Sequence, residues 1–254
     1  MSAEIAIIGG TGLTSMTGLA ITRREMIKTP YGSPSGPLIF GELDGGAVVF
    51  LARHGHKHSI PPHRINYRAN IWALESVGIK RVVAVGAVGG ITGCDTGDVV
   101  IPDQIIDYTQ SRQGTFYDGK PYEVRHVDFS YPYDAQLRTA LIDAGKQASV
   151  NLIEGGVYGV TQGPRLETAA EIKRMANEGC TIVGMTAMPE AALARELDMA
   201  YASLAVVINP AAGREAQAID SSALEAAIPA GMEKARKLLA AAMPALTGSY
   251  DLRD

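Results

Sequence analysis

The chain has 254 residues, of which 46% are hydrophobic and 20% are charged, and its formal net charge at pH 7 is −4. Because this length can bury one sizeable core, a single domain over residues 1–254 is expected, and the slight excess of acid argues against a broad surface for nucleic acid or an anionic membrane. Two cysteines, Cys94 and Cys180, are too few for a disulfide scaffold and are typical of a reducing compartment.

Short, β-branched apolar runs bounded by glycine or polar residues predict buried strands along the chain. In order, they cover residues 5–8, 47–51, 81–85, 98–101, 156–161, 181–185 and 202–208. Helical patterns lie between them, at residues 66–76, 134–148, 168–178, 189–197 and 222–242. This alternation predicts an α/β fold whose central sheet is largely parallel or mixed and is covered by helices on both faces.

The N-terminal residues carry an acid, Glu4, instead of a basic region, and the apolar run that follows breaks at Gly9, so no signal peptide is indicated. No apolar stretch approaches the roughly 20 residues that a membrane-spanning helix needs. We therefore expect a cytoplasmic protein.

Residues 108–134 form a polar and aromatic segment with several glycines and prolines, here called the irregular segment. A long irregular stretch in a compact domain is usually functional or makes an interface. A solvated insertion explains the sequence equally well.

A glycine-rich loop, residues 9–12, follows the first predicted strand. Glycines let backbone N–H groups approach an anion, and Thr11 adds a hydroxyl donor. A dinucleotide site would need a helix next and an acid about 20 residues further on, but residues 14–28 contain no convincing helix. A plain tight turn remains an alternative.

A basic loop, residues 53–58, follows the second predicted strand. Arg53 can grip an oxyanion with two parallel hydrogen bonds, and His54 can add a donor. Its three alternating histidines suggest a metal, but Arg53 and Lys57 would repel a cation, and no Cys or Glu stands at zinc-ligand spacing. No metal site is therefore predicted, and a solvated basic loop is the alternative.

Four further motifs also stand at strand ends: residues 85–90, 161–168, 183–190 and 206–213. Each has an ordinary explanation: a glycine turn, Glu167 complementing a helix dipole, Thr186 as a helix N-cap, and Asn209 in a turn before proline. All six motifs nevertheless lie at or just beyond the C-terminal end of a predicted strand, where open α/β sheets bind ligands.

Taken in order, these motifs resemble the family of trimeric purine nucleoside phosphorylases and methylthioadenosine phosphorylases, over nearly the whole chain. The most specific markers are residues 52–55, 66–74, 116–119, 163–165 and 185–190. The resemblance implies a nucleoside phosphorylase fold, with a central mixed sheet flanked by helices, and a homotrimer. Tyr117 and His126 lie in the segment that, in relatives, reaches toward a neighbouring subunit's nucleoside, so His126 is an expected substrate contact.

The resemblance implies that inorganic phosphate is a co-substrate and that neither a metal nor another cofactor is needed. The implied phosphate contacts are Thr11, Arg53, His54, Gly86, the backbone of Ala87, and Thr186. Relatives often carry Thr or Asn where this chain has Gly86, so a side-chain donor is missing there. Met185 resembles the residue that lies against the ribose, and Glu190 is expected to support its loop without touching the substrate.

The base pocket resembles that of enzymes acting on 6-oxopurines. Asn209, Pro210 and Ala211 stand where methylthioadenosine phosphorylases carry an Asp-x-Asp pair, and an asparagine can pair with O6 and N7. Glu167, next to Leu166, matches the glutamate that accepts from N1–H in 6-oxopurine phosphorylases. Asn209 and Glu167 are therefore the expected catalytic residues, which stabilise charge on the leaving purine.

The sugar pocket differs from that of inosine and guanosine phosphorylases, because Ser221 stands where these present a histidine to the 5'-hydroxyl, with Leu224 one turn further on. A small residue there admits a methylthio group. The implied reaction is phosphorolysis of S-methyl-5'-thioinosine to hypoxanthine and 5-methylthioribose 1-phosphate. A methylthioadenosine phosphorylase, a general 6-oxopurine nucleoside phosphorylase, a dinucleotide-binding oxidoreductase and a non-catalytic nucleoside-binding protein remain alternatives.

Overall fold

The structure, a computed structural model, describes residues 3–119, 123–215 and 221–248. Its strands are β1 (Ile5–Gly9), β2 (Ala20–Glu25), β3 (Leu38–Leu43), β4 (Gly46–Ala52), β5 (Arg81–Gly90), β6 (Val99–Ile101), β7 (Gln104–Asp107), β8 (Leu152–Glu154), β9 (Val157–Val160), β10 (Cys180–Gly184) and β11 (Ala200–Pro210). Its α-helices are α1 (Tyr67–Ser76), α2 (Ala135–Gln147), α3 (Ala169–Asn177), α4 (Ala187–Glu196) and α5 (Ser221–Thr247), and a 3₁₀ helix spans Pro62–Arg64.

The strands form one mixed sheet with the path β2-β3-β4-β1-β5-β10-β9-β7. β11 pairs with both β5 and β6, and β6 also pairs with β8. β1 runs parallel to β4 and β5, whereas β10 runs antiparallel to β5. The predicted α/β fold with a mixed central sheet is therefore confirmed.

The central strands are buried on both faces. Side chains of a strand alternate between its faces, so Ile5 and Ile7 of β1 join the apolar cluster formed with α2 and α5. Ala6 and Ile8 join the opposite cluster, formed with α1 and α4. This two-sided burial explains why β1 reads as a continuous apolar run.

The two edges of β5 have different pairing partners along its length. β11 pairs along one edge of β5, from Arg81 to Gly90. On the other edge, β1 pairs with β5 only as far as Ala84, and β10 joins at Gly89. The predicted strand end at residue 85 was therefore wrong, and a plain glycine turn, the alternative explanation of this motif, is excluded. β5 continues through the glycines and, among the described strands, one of its edges is open between Ala84 and Gly89.

Four strands, β2, β3, β7 and β8, were not predicted. All six residues of β2 are exposed, so it lacks the apolar pattern of a buried strand. β2 also fills the stretch where the sequence indicated no helix. The first glycine loop thus leads into a strand, not into the helix that a dinucleotide site requires.

The irregular segment contains no helix or strand within its described residues, 108–119 and 123–134. Its first part is nevertheless attached to the body of the protein. Thr115 Oγ1 donates to Glu196 Oε1 at 2.6 Å, and the Phe116 amide donates to Glu196 Oε2 at 2.7 Å. A solvated insertion does not describe this part of the segment. In the described part of the chain, no helix is long and apolar enough to cross a membrane.

Candidate active site

A cavity of about 160 Å³, open to solvent, lies beside the uncovered edge of β5. Eleven of the predicted site residues line it: Thr11, Arg53, His54, Gly86, Ala87, Leu166, Glu167, Met185, Thr186, Asn209 and Ala211. All six strand-end motifs thus contribute to one cavity, although the roles of these residues stay predictions.

Four predicted site residues stand apart. Pro210 does not line this cavity, and its carbonyl instead accepts a hydrogen bond from Asn209 Nδ2 at 2.6 Å. His126 is exposed and does not line the cavity of its own chain. The side chains of Ser221 and Leu224, at the start of α5, lie outside the described residues.

Arg53 is held in place by a buried ion pair. Its Nε and Nη2 donate to the two carboxylate oxygens of Glu190 at 2.7 and 2.8 Å, and Nη1 donates to Val85 O at 3.0 Å. Burial alone would lower the pKa of Arg53, but the Glu190 carboxylate raises it further, so the net shift is upward. A guanidinium has five N–H donors. In the part of the chain that the structure describes, these bonds use three of them, so two remain for an anion.

Glu190 is thus the partner that orients Arg53. It is fully buried and also accepts a hydrogen bond from the Tyr201 hydroxyl at 2.9 Å. Glu190 was expected to support its loop. Its direct partner is instead Arg53, which is itself a predicted phosphate contact.

The open edge of β5 offers backbone donors to the cavity. N–H and C=O groups of one residue face the same edge of a strand, and successive residues alternate between edges. Val85 O faces Arg53, and Gly90 O faces the β11 side, where it accepts from the Ala211 amide at 2.8 Å. Ala87 lies two residues after Val85, so its N–H faces the same edge of β5 as Val85 O and points toward the cavity.

The first glycine loop packs tightly against this edge. A Cβ on Gly10 would lie 2.7 Å from Val85 O and 2.9 Å from Arg53 Nη1. Such contacts are too close for any side chain, so glycine is needed here for packing and not only for flexibility. Thr11, the next residue, lines the cavity, and its hydroxyl is 3.0 Å from His58 Nε2.

Thr186 occupies the N-cap position of α4, yet its side chain makes no capping hydrogen bond. The explanation of Thr186 as a simple helix cap therefore fails. Its hydroxyl instead lies near Gly86, where an added Cβ would be 3.9 Å from Thr186 Oγ1 and 4.0 Å from the Tyr158 hydroxyl. Burial raises the pKa of Tyr158 to about 12, although the nearby Arg53 charge opposes the shift, so this phenol stays neutral.

The ring of His54 is a neutral acceptor. Its Nδ1 is 2.8 Å from Ile60 O, and a carbonyl can only accept, so the proton lies on Nδ1. Burial, assisted by the Arg53 charge, lowers the pKa of His54 to about 4. At neutral pH, Nε2 is therefore an unprotonated acceptor, whereas the sequence led us to expect a ring donor. Among the described residues, no group of three or more His, Cys, Asp or Glu side chains could hold a metal ion.

Glu167 is available to the cavity because a different acid caps α3. Thr168 and Glu171 form a reciprocal capping box, which satisfies the helix N-terminus without Glu167. The Thr161 hydroxyl donates to Glu167 Oε1 at 2.5 Å and holds the carboxylate at the cavity wall.

Asn209 is oriented by the backbone around it. The register of β11 against β5 shifts between Val207 and Asn209, and such a bulge re-aims the following side chain. Because one Nδ2 hydrogen is bound to Pro210 O, the amide cannot flip freely. Its second N–H and its Oδ1 remain as one donor and one acceptor, the pair that O6 and protonated N7 of a 6-oxopurine require.

Sequence reasoning did not identify several cavity residues, among them Pro62, Val183 and Ile208. These are apolar or backbone contacts with no chemical signal of their own. The roles of Tyr158 and Tyr201 were also missed, because hydroxyl partners far apart in the chain are not visible as a motif.

Comparisons with known proteins agree on one family. The profile of the Phosphorylase superfamily matches residues 4–244. A protein of Pseudomonas syringae pv. tomato, described as a probable S-methyl-5'-thioinosine phosphorylase, is 52% identical over 241 residues, which are 94% of this chain and 98% of that protein. The 6-oxopurine nucleoside phosphorylase of Pyrococcus furiosus is 47% identical over 247 residues, 95% of this chain and 92% of the relative.

Solved structures give the same result for the fold. Methylthioadenosine phosphorylase from Schistosoma mansoni, in complex with adenine, superposes with a TM-score of 0.90 at 30% identity, covering 96% of this chain and 91% of that one. A methylthioadenosine phosphorylase from an antarctic soil metagenomic library gives 0.89 at 38% identity, covering 96% and 86%.

Proposed function

The chain belongs to the phosphorylase superfamily, and from this membership we propose that it cleaves S-methyl-5'-thioinosine with inorganic phosphate, giving hypoxanthine and 5-methylthioribose 1-phosphate. It is a pentosyltransferase of the purine nucleoside phosphorylase type. One observation carries the proposal: Glu167 and Asn209 line the same cavity as Arg53 and Thr186. A purine and a phosphate can thus be held on opposite sides of one ribose.

The reaction breaks the bond from the purine nitrogen to the anomeric carbon and forms a bond from that carbon to a phosphate oxygen. Arg53, Thr11, Thr186 and the Ala87 N–H hold the phosphate in line with the departing base, which converts a bimolecular encounter into an oriented one. His54 Nε2, which is unprotonated at neutral pH, accepts a hydrogen bond from a protonated phosphate oxygen. The reaction needs no cofactor beyond the phosphate co-substrate.

The purine takes the electron pair of the broken bond, and the negative charge that builds on it is neutralised by a proton that N7 takes up from water. Asn209 Oδ1 accepts a hydrogen bond from this N7–H and its free N–H donates to O6, while Glu167 accepts from N1–H. Interactions that strengthen as this charge develops accelerate the reaction, whereas uniform binding does not.

A general 6-oxopurine nucleoside phosphorylase is the second candidate, favoured by the Pyrococcus furiosus relative of that name. It shares the same base pocket and differs only at the 5' end of the sugar, where the methylthio group would be replaced by a hydroxyl. A methylthioadenosine phosphorylase is less compatible with Glu167, because adenine N1 carries a lone pair and not a proton.

The proposal extends to the organisation of the protein. Residues 1–254 form one phosphorylase domain that assembles as a cytoplasmic homotrimer, in which His126 of each chain approaches the neighbouring nucleoside. The partners are a purine nucleoside and phosphate, with no role for nucleic acid or a membrane.

The test compares phosphorolysis of methylthioinosine, methylthioadenosine, inosine and guanosine by one purified sample, with and without phosphate. We expect phosphate-dependent release of hypoxanthine, with the highest kcat/KM for methylthioinosine. Equal rates for inosine would favour the general 6-oxopurine enzyme. Purine binding without turnover on any of the four substrates would contradict both.

A further inference from the structure

Arg112, in the irregular segment, makes an unusually dense set of hydrogen bonds to the loops around the cavity. Its acceptors are the main-chain oxygens of Thr161 (3.2 Å), Gln162 (2.8 Å), Met185 (2.8 Å) and Met188 (2.5 Å), with Gln162 Oε1 (3.1 Å) and the Tyr67 hydroxyl (3.2 Å). A guanidinium has five N–H donors, and these contacts engage Nε, Nη1 and Nη2 together.

The main-chain acceptors belong to two segments that the sheet no longer holds together, one that follows β9 and one that leads from β10 into the start of α4. β9 and β10 pair in parallel as far as Val160 and Gly184, and the last backbone bond runs from the Thr161 amide to Gly184 O at 2.8 Å. Beyond it, one loop continues to Leu166 and Glu167 and the other to Met185 and Thr186, all of which line the cavity. Arg112 bridges the loops where they diverge.

A third wall of the cavity is connected through Tyr67. The Tyr67 hydroxyl accepts from Arg112 and donates to Pro62 O at 3.0 Å. Pro62 lines the same cavity. The guanidinium thereby links the base side, the ribose and phosphate side, and the Pro62 wall.

We propose that Arg112 is a positioning residue, which holds the loop of Glu167 and the loop of Met185 and Thr186 in a fixed relative position. The inference rests on the proposed function of the cavity. Removing Arg112 therefore weakens purine recognition and phosphate recognition together, although Arg112 does not line the cavity itself.

The geometry requires an arginine and not simply a positive charge. Within the described residues, no carboxylate forms an ion pair with Arg112, and its partners are neutral oxygens on several sides of a planar group. A lysine presents one compact ammonium on a flexible stem and cannot reach both loops with a rigid fork. Arg112→Lys keeps the charge and removes the bridge, so it separates the two effects.

The experiment compares Arg112→Met and Arg112→Lys with wild type and with Arg138→Met as a matched control. Arg138, on α2, is similarly half-buried and also donates to main-chain oxygens, those of Pro102 at 2.8 Å and Ile101 at 3.4 Å, but it does not line the cavity. The measurements are Tm, the KM for phosphate and for methylthioinosine, kcat, and hydrogen exchange of residues 161–168 and 184–190.

Both Arg112 variants should lower kcat/KM for both substrates by at least about tenfold, the scale of a small misplacement of binding groups, and should speed exchange in both loops. Arg138→Met should do neither, even where its Tm falls. Wild-type kinetics in Arg112→Lys, or unchanged exchange in both loops, would overturn the proposal. If wild type itself cleaves none of the nucleosides, the proposed function fails, while the exchange measurement still decides the role of Arg112.

Discussion

Thr186 and Arg53 differ in how cleanly their phosphate contacts can be tested. The Thr186 side chain makes no capping bond, so its removal costs the helix little. Arg53 neutralises the fully buried Glu190, and loss of one partner of such a pair typically destabilises by about 3–5 kcal/mol. An activity loss in an Arg53 variant therefore mixes phosphate binding with stability.

We predict that Thr186→Ala raises the phosphate KM by about tenfold, the loss expected from a hydrogen bond to a charged group, while Tm stays close to wild type. Arg53→Ala should raise the phosphate KM or lower turnover by at least about as much and should also lower Tm. Steady-state kinetics at varied phosphate, with thermal unfolding in parallel, measure both effects. Unchanged phosphate kinetics in both variants would refute the phosphate site.

His54 should make stability depend on pH in a defined window. Its pKa is lowered to about 4 in the folded protein from 6.5, so between these values the unfolded chain takes up a proton that the folded chain does not. The free energy of unfolding should therefore fall by about 1–2 kcal/mol from pH 7 to pH 5. Urea unfolding at the two pH values should detect this fall in wild type and a smaller one in His54→Gln. An equal fall in both proteins would assign the effect to other groups.

Asn209 and Glu167 should set the preference for a 6-oxopurine. Hypoxanthine accepts at O6 and donates from N1, and adenine reverses both roles, so methylthioadenosine leaves one or two buried groups mispaired. Wild type should prefer methylthioinosine by at least about tenfold in kcat/KM. Asn209→Asp should shift this ratio toward methylthioadenosine, and adding Glu167→Ser should shift it further. A ratio unmoved by the double change would show that the base pocket is misassigned.

The cavity residues that could be predicted from the sequence are those with polar side chains that directly follow a predicted strand. Each of Arg53, Glu167, Thr186 and Asn209 has an ordinary structural explanation when taken alone. The signal is their shared position after the end of a predicted strand, where open α/β sheets bind ligands. The Arg53–Glu190 contact joins residues 137 positions apart, and no local pattern reports a pairing of that separation. The same holds for the bridge made by Arg112.

Strands that are buried on both faces were predicted from the sequence, whereas strands with exposed residues were missed. β1, β4 and β11 are apolar runs with both faces in the core, and the pattern located them within two residues at each end. β2 is exposed throughout and β8 has only three residues, so neither carries a periodic signal. The length of β5 was misjudged because glycines are depleted in strands, whereas here neighbouring residues pack closely against the last glycines of the strand. A Cβ on Gly89 would lie 3.2 Å from Val183 Cγ1, and one on Gly90 would lie 3.1 Å from Val207 Cγ1.

The packing of α5 on β11 gives a prediction at the level of elements. A Cβ on Gly231 would lie 2.4 Å from Val206 Cγ1, so the helix approaches the strand too closely for any side chain. Although Ala is intrinsically the better helix former, overpacking should prevail, and Gly231→Ala should lose about 1–3 kcal/mol of stability. Urea unfolding at one protein concentration measures this loss.

Val206→Ala provides the matched background for that experiment, because it removes the atom that Gly231→Ala would strike. In the Val206→Ala background, Gly231→Ala should lower the free energy of unfolding only slightly. The effects of the two substitutions should therefore not be additive. Additive losses would mean that α5 does not approach β11 as closely as described.

At the scale of the whole molecule, the irregular segment combines an anchored start with two large exposed apolar side chains further along. Arg112 and Thr115 attach its first part to the body of the protein. Further along, Val124 and Tyr131 are 67% and 75% exposed, and His126 lies between them in the chain. Exposed apolar side chains that are scattered singly are common on protein surfaces, so these two support an interface only together with the family resemblance. A neighbouring subunit is the occupant that the family resemblance favours.

We predict that wild type sediments as a trimer and that Tyr131→Glu dissociates it, because burying an unpaired carboxylate at an interface is costly. Activity on the nucleoside should fall with the trimer, since His126 would no longer reach a neighbouring cavity. Ile21→Glu is the control: Ile21 is 44% exposed on the outer strand β2, away from the irregular segment, and a charge there should leave both mass and activity unchanged. Analytical ultracentrifugation of the three proteins, with kinetics on the same samples, decides the matter. A fully active wild type that sediments as a monomer would exclude the trimer, and a trimeric Tyr131→Glu variant would exclude this surface as its interface.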